Sequence, residues 1–227
     1  MLFSYKEFIQ MFNEKMNNGK EFYLELLKKI IDNPNRYYST FRIASFKQKL
    51  LQNLTQSQEI KFGDFVEYIT TKYLEKIGYV NLNKNILKDE KGNFFKVDQI
   101  FIDNEENKLY FVEQKIRDDH DSSKKRGQYE NFDKKISLLK SKYPNRNLTS
   151  IMWFVDDQLV KNKNYYLNEI NKSKTKYKDN EIYLYYGKNF FKSIKNGLLA
   201  WNEIIEYLTN LKKRKLLNKF RYSWLFK

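Results

Sequence analysis

The sequence predicts an α/β fold: a mixed central β-sheet flanked by helices, preceded by an N-terminal helical region. Three observations carry this. Residues 94–102 and 108–115 are runs of aromatic and β-branched residues on either side of Asp103-Asn104-Glu105-Glu106-Asn107, a stretch of turn formers, and together read as a hairpin. Two further apolar runs, 148–155 and 181–187, read as buried strands. Helical signals lie before, between and after these runs, and no repeat or low-complexity linker separates them. The order helix, hairpin, helix, strand, strand, helix is that of an α/β core.

Taken in order, Ser4-x-x-Glu7 opens a first helix as a capping box, and Asn17-Asn18-Gly19 ends it. A second runs over about 20–31 and is broken by Asp32-Asn33-Pro34-Asn35; a third covers about 40–53. In residues 63–78, Asp64 reads as an N-cap, Glu67 three residues on completes a capping box, and Gly78 is a C-terminal stop. Phe65, Val66, Ile69, Tyr73 and Ile77 form the apolar stripe of that helix, with Glu67 at its edge. These features divide the chain into an N-terminal helical subdomain, 1–62, and a core with C-terminal helices, 63–227. After the hairpin, 116–128 reads as a polar loop and 128–142 as a helix stopped before Pro144. Residues 161–180 show no strong periodicity. Helices over about 189–196 and 201–215 close the core, and a basic tail follows.

Composition narrows the function class. Forty-three Lys and Arg against 28 Asp and Glu give a net charge of +15 in 227 residues, which favours a polyanionic partner. The abundance of Lys, Asn, Ile, Tyr and Phe beside only 7 Gly and 2 Pro also matches A·T-rich coding, so the charge supports nucleic acid without establishing it. No apolar run approaches the roughly 20 residues of a membrane span, and the first residues lack a signal-peptide pattern, so a cytoplasmic protein with no membrane association is expected. The absence of cysteine excludes thiol chemistry and Cys-based zinc sites, and the single His120 excludes a His-rich metal site.

The hairpin concentrates the chemistry. Side chains alternate faces at about 3.3 Å per residue, so Glu113 and Lys115 share one face and Gln114 points to the other. With a four-residue loop, 104–107, Asp103 pairs with Lys108 and Asp98 stands across from Glu113; one more loop residue would send Asp98 to the other face. Two facing carboxylates repel one another but suit a divalent cation, and an all-oxygen octahedral set describes Mg²⁺. The same residues also fit a solvated ion pair of little weight. Their apolar neighbours Phe111, Val112 and Ile116 place them near the sheet core, where a charge needs a partner or an ion.

Val97-Asp98 followed by Glu113-Gln114-Lys115 resembles the PD-(D/E)xK nuclease superfamily, with Val in the place of the dispensable Pro. Within it, the polar run from Ile116 through His120 to Gln128 resembles type II restriction endonucleases, with a similarity to enzymes cutting GANTC. The resemblance covers about 64–200 and implies a restriction-endonuclease-like core. It further implies that Asp98, Glu113 and the backbone carbonyl of Gln114 hold Mg²⁺, that Lys115 with a lowered pKa orients or deprotonates a water, and that double-stranded DNA is cut to 5′-phosphate and 3′-hydroxyl ends. A homodimer on a symmetric site and a cognate DNA methyltransferase as functional partner belong to the same expectation. Glu67 fits a metal-site residue and a simple helix cap equally well. Lys124, Lys125, Arg126 and Gln128 are expected to bind DNA, the lysines at phosphates and Arg126 and Gln128 at base edges, or else to form a solvated charge run. His120 reads as a loop residue or a DNA contact, and Arg36, Tyr37, Tyr38 and Arg42 as turn residues or DNA contacts. The segment Lys212-Lys213-Arg214-Lys215 reads as a DNA-backbone contact or as an exposed flank of packed Trp224, Leu225 and Phe226. A repair or junction nuclease with the same site and a non-catalytic nucleic-acid-binding module are the rival readings.

Overall fold

The computed structural model describes residues 1–213 except 18, 38, 42, 86, 89–91 and 93. Tyr38, Arg42 and the tail from residue 214 onward, with its basic and aromatic residues, lie outside the described residues. The chain divides into two compact units, Phe3–Ile69, and Met1–Leu2 with Thr70–Lys227.

The first unit is helical. α1 (Tyr5–Met16) starts at the expected capping box: the Ser4 amide donates to Glu7 Oε2 at 2.7 Å and the Glu7 amide to Ser4 Oγ at 3.2 Å. α2 (Lys20–Asp32) and the one-turn α3 (Pro34–Tyr37) follow, and Arg36 and Tyr37 belong to α3. Phe8 and Phe12 of α1 set their rings edge-on against Phe65 at 5.6 and 5.0 Å. Phe65 lies on α4, a single helix over Phe46–Lys76 that also carries Leu50, Leu54, Val66 and Ile69 in the buried set. This corrects two expectations. The third helix starts at Phe46 rather than near 40, and it does not stop before Gly63. Gly63, Asp64 and Glu67 lie in the helix interior, where amides bond carbonyls four residues back, so the capping box read there does not form. Only the stop is as expected: α4 ends before Gly78, whose φ of +105° suits glycine.

The second unit is built on a five-stranded mixed sheet in the order β1-β4-β5-β6-β7. β1 is Val80–Asn81; β2 (Leu87–Lys88) and β3 (Phe94–Phe95) form a separate two-stranded ribbon. The hairpin is β4 (Gln99–Asp103) with β5 (Lys108–Lys115), so the predicted first strand is broken at residues 96–98. Val97 explains the break: its side chain is fully buried while its amide turns away to the carbonyl of Lys84 at 3.0 Å. β4 and β5 are antiparallel in the register Asp103↔Lys108 to Gln99↔Val112, with Asp103 Oδ1 accepting the amides of Glu105 and Glu106 to set the turn. β5 pairs in parallel with β6 (Asn147–Phe154), which pairs in parallel with β7 (Glu181–Tyr186).

Parallel neighbours require crossovers. The first is α5 (Ser122–Lys142), which begins six residues before the predicted start, so the segment read as a loop is largely helix. The second is α6 (Lys163–Lys176), where no helix was expected. α5 and α6 cover one face with Tyr129, Phe132, Ile136, Leu139, Tyr166 and Ile170 against Leu109, Phe111, Met152 and Phe154. α7 (Asn189–Lys192) and α8 (Gly197–Lys213) lie toward the other face, where Trp153 meets Phe190, Phe191 and Trp201 at ring distances of 4.6, 5.6 and 6.3 Å. The fold class is therefore the predicted one. No helix among the described residues is long and apolar enough to cross a membrane.

Candidate active site at the carboxyl ends of the parallel strands

The carboxyl end of a parallel strand is where open α/β sheets expose their functional side chains. β5 ends in Glu113, Gln114 and Lys115, paired to Met152, Trp153 and Phe154 of β6. Extending the β4–β5 register by one residue sets Asp98 level with Glu113, the arrangement expected from the four-residue loop.

The side chains close into one cluster. Lys115 Nζ lies 2.7 Å from Glu113 Oε1 and 3.3 Å from Asp98 Oδ2, so one ammonium joins both carboxylates. Asp98 Oδ2 also accepts the Gln114 amide at 2.8 Å, which ties the bend before β4 to β5. Glu113 is only 3% exposed, and its second oxygen, Oε2, is 2.7 Å from Nζ of Lys135 on α5. Gln114, on the opposite face, meets Gln99 Nε2 at 3.3 Å, and Gln99 in turn accepts the Thr71 hydroxyl at 2.7 Å. Burial pulls the Lys115 pKa down, but Glu113 and Asp98 outweigh it and hold the ammonium well above the usual lysine range. The lowered lysine pKa was an expectation for a lysine beside a bound metal ion; Lys115 here donates to both carboxylates.

The donor set bears on a metal. Two carboxylates converge on the point that a positive charge occupies, all donors are oxygen, and one carboxylate is buried; this fits a hard divalent cation. Among the described residues no group of three or more His, Asp or Glu is placed to hold a metal ion, so Asp98 and Glu113 would share the ion with backbone and external oxygens. Glu67, the fourth acidic candidate, belongs to the other compact unit.

The expected DNA-binding residues sit on the first turns of α5. Asp121 caps that helix by accepting the Lys124 amide at 2.8 Å. Lys124 and Arg126 are exposed, Arg126 reaching the Ser122 carbonyl at 3.4 Å, while Lys125 lies 4.8 Å from the centre of the Tyr165 ring. Gln128 is half-buried, and its side-chain carbonyl accepts the Tyr166 hydroxyl at 2.9 Å. His120 is held below its ordinary pKa by burial and by Lys124, against the pull of Asp119 and Asp118.

Sequence reasoning missed two groups. Lys135 carried a usable signal, a lysine set inside the apolar stripe of Tyr129, Phe132, Ile136 and Leu139. Asp118 did not: it looked like any acid of a polar loop, yet it is fully buried and accepts the Asn162 amide at 2.9 Å, Asn162 Nδ2 at 2.9 Å and the Tyr186 hydroxyl at 2.8 Å. These bonds fasten the exit from β5 to α6 and β7, and so fix where α5 begins.

Residues 72–212, more than half of the chain, match the profile of the HinfI family of type II restriction endonucleases. The chain belongs to that family. As a member of the HinfI family it is a site-specific deoxyribonuclease, with double-stranded DNA as its substrate. The match begins within α4 and ends in α8, so it takes in the whole sheet and the carboxylate cluster. No curated protein and no solved structure matches the chain.

Proposed function

We propose that this HinfI-family chain is a Mg²⁺-dependent restriction endonuclease that cuts both strands of a short symmetric site, GANTC, as a cytoplasmic homodimer and leaves 5′-phosphate and 3′-hydroxyl ends. Methylation of that site by a cognate methyltransferase would protect the host. The observation that carries the reading is the joining of Asp98 and Glu113 through one cation at the carboxyl end of β5.

In this reading the site is of the PD-(D/E)xK type. Asp98, Glu113 and the backbone carbonyl of Gln114 would hold the ion, which when bound would supply charge stabilisation at the scissile phosphate and acidify water there. The chain's own residues do the rest. Glu113, held from two sides, is a fixed ligand; Asp98, tied by the Gln114 amide, is held across from it. Lys115 orients the attacking water or helps remove its proton, and meets the charge that develops on the phosphate. Lys124 and Lys125 neutralise backbone phosphates, and Arg126 has the donor fork that matches a guanine edge. Gln128 is committed to Tyr166 and would read adenine only by exchanging that bond for one to the base.

The decisive experiment is digestion of a sequenced plasmid by the purified protein with magnesium, with and without EDTA, followed by mapping of the fragment ends. Discrete bands with 5′-phosphates at GANTC sites are expected. Bands at another site would overturn the target alone. A smear, or cutting only at junctions, would favour a repair nuclease, and cleavage unaffected by EDTA would remove the metal from the reading.

A further inference from the structure

α5 buries Tyr129, Phe132, Ile136 and Leu139 against the sheet, and in the middle of this apolar stripe it buries a lysine. Lys135 is 4% exposed and its ammonium lies 2.7 Å from Glu113 Oε2. As packing, this is a poor choice. A methionine would fill the same stripe without desolvating a charge, and buried ion pairs are on average no more stabilising than apolar residues of like volume. What the lysine does is local to Glu113: it gives a buried carboxylate a counter-charge from a second element, at the oxygen that Lys115 does not use.

The two lysines are not equivalent. Lys115 stands on the strand beside Glu113 and reaches both carboxylates; Lys135 comes from the crossover helix and reaches Glu113 alone. The cluster of Asp98, Glu113, Lys115 and Lys135 carries two negative and two positive charges. A cation shared by Asp98 and Glu113 therefore competes with Lys115 for the oxygens they present to each other, whereas Lys135 holds the oxygen on the far side.

We propose that Lys135 is a positioning residue for Glu113: by binding Oε2 it fixes the rotation of the carboxylate, so that Oε1 is the oxygen turned toward Asp98 and offered as a ligand. The proposal rests on the reading of Glu113 as a metal ligand. Lys135 touches neither DNA nor the reacting atoms in this scheme; it acts through Glu113.

The test uses the full chain and the variant Lys135→Met. Partners that orient a metal ligand typically contribute about 10- to 100-fold in metal affinity or activity. Accordingly, DNA affinity measured with calcium stays as in wild type, while the single-turnover cleavage rate falls about 10- to 100-fold and half-maximal cleavage needs more magnesium. A residue that merely supports the fold would not separate binding from turnover in this way. A folded variant with the wild-type rate and magnesium requirement overturns the proposal. If Lys135→Met does not fold, Glu113→Gln/Lys135→Met decides. Recovery of a cooperative thermal transition when the charge it served is also removed supports the pairing, and continued unfolding overturns it, because position 135 then supports the helix and not Glu113. Failure of the metal reading itself is visible in the wild-type protein, as cleavage indifferent to EDTA; failure of the present proposal is visible only in the variants.

Discussion

Replacing Lys115 by methionine keeps a half-buried stem of similar length and removes the ammonium that joins the two carboxylates. Two contacts are lost, at 2.7 Å to Glu113 and 3.3 Å to Asp98. A hydrogen bond with an ionised partner contributes about 1.5–3 kcal/mol net, and the Glu113 contact, with its acceptor 4% exposed, falls in that range. The longer Asp98 contact is to a carboxylate 18% exposed that keeps the Gln114 amide, so it is discounted to the roughly 0.2–1 kcal/mol of a partly solvated pair. Methionine recovers part of this because no charge is desolvated, and Glu113 retains Lys135. The expected loss is about 1–3 kcal/mol, a fall in Tm of about 3–9 °C for a chain of this size. Cleavage should suffer more: loss of a positioned proton-handling group costs about 10²–10⁴-fold in rate, or about 3–5 kcal/mol of barrier. Single-turnover cleavage at saturating DNA, at a temperature where the variant is folded, and DNA affinity with calcium separate the two effects. A rate within about tenfold of wild type, below the range for such a group, would refute the reasoning and leave Lys115 as a structural ion pair. Lost affinity at an unchanged rate would make it a phosphate anchor.

Asp98→Ala should abolish magnesium-dependent cleavage while calcium-supported DNA binding survives; cleavage near the wild-type rate would exclude Asp98 as a ligand. On α5, Lys125→Ala should weaken binding to cognate and scrambled duplexes alike and reduce the salt slope by about one, the signature of one phosphate contact. Arg126→Ala should cost about 1–3 kcal/mol on the cognate duplex and little on the scrambled one; equal losses would make Arg126 a phosphate contact too. Glu181, bonded by Lys108 and Thr149 against a smaller opposing effect of burial, has a lowered carboxyl pKa. A lowered folded-state pKa gives stability that is present above the ordinary carboxylate range and lost as pH falls through the lowered value. Glu181→Gln should therefore flatten the acid limb of the Tm profile between neutral pH and pH of about 3, and an unchanged slope would show that the Lys108 pair carries no acid-linked stability.

The cluster was legible in the sequence because hairpin parity is unforgiving. Four loop residues put Asp98 level with Glu113, and the turn bonds of Asp103 confirm the same register. The elements misread were those where tertiary contacts outweigh local signals. Gly63-Asp64-x-x-Glu67 has the pattern of a helix start, yet Phe65 packed against Phe8 and Phe12 lies in the middle of α4. The polar run after Ile116 reads as loop by composition, but the Asp121 cap starts α5 at Ser122. α6 buries Tyr166, Ile170 and Ser173, a helical spacing obscured because one of the three is polar and the surrounding residues are lysine and asparagine. Lys135 could be seen as a misfit in a stripe, but its partner, 22 positions away on β5, could not.

The two carboxylates of the site differ in what holds their backbones. β5 is laced to β4 along one edge and to β6 along the other, the second ladder running through Lys115↔Phe154. Asp98 stands just before β4, in a bend whose Asp98 side chain accepts the Gln114 amide and the Lys115 ammonium of β5. The mechanical consequence is unequal compliance. Amides in the middle of β5 should exchange with solvent only when the sheet opens, and those of Lys96 and Asp98, outside the strands, should exchange sooner. Glu113 is thus the better-held carboxylate of the site, and any change in the spacing between the two would come from the bend side.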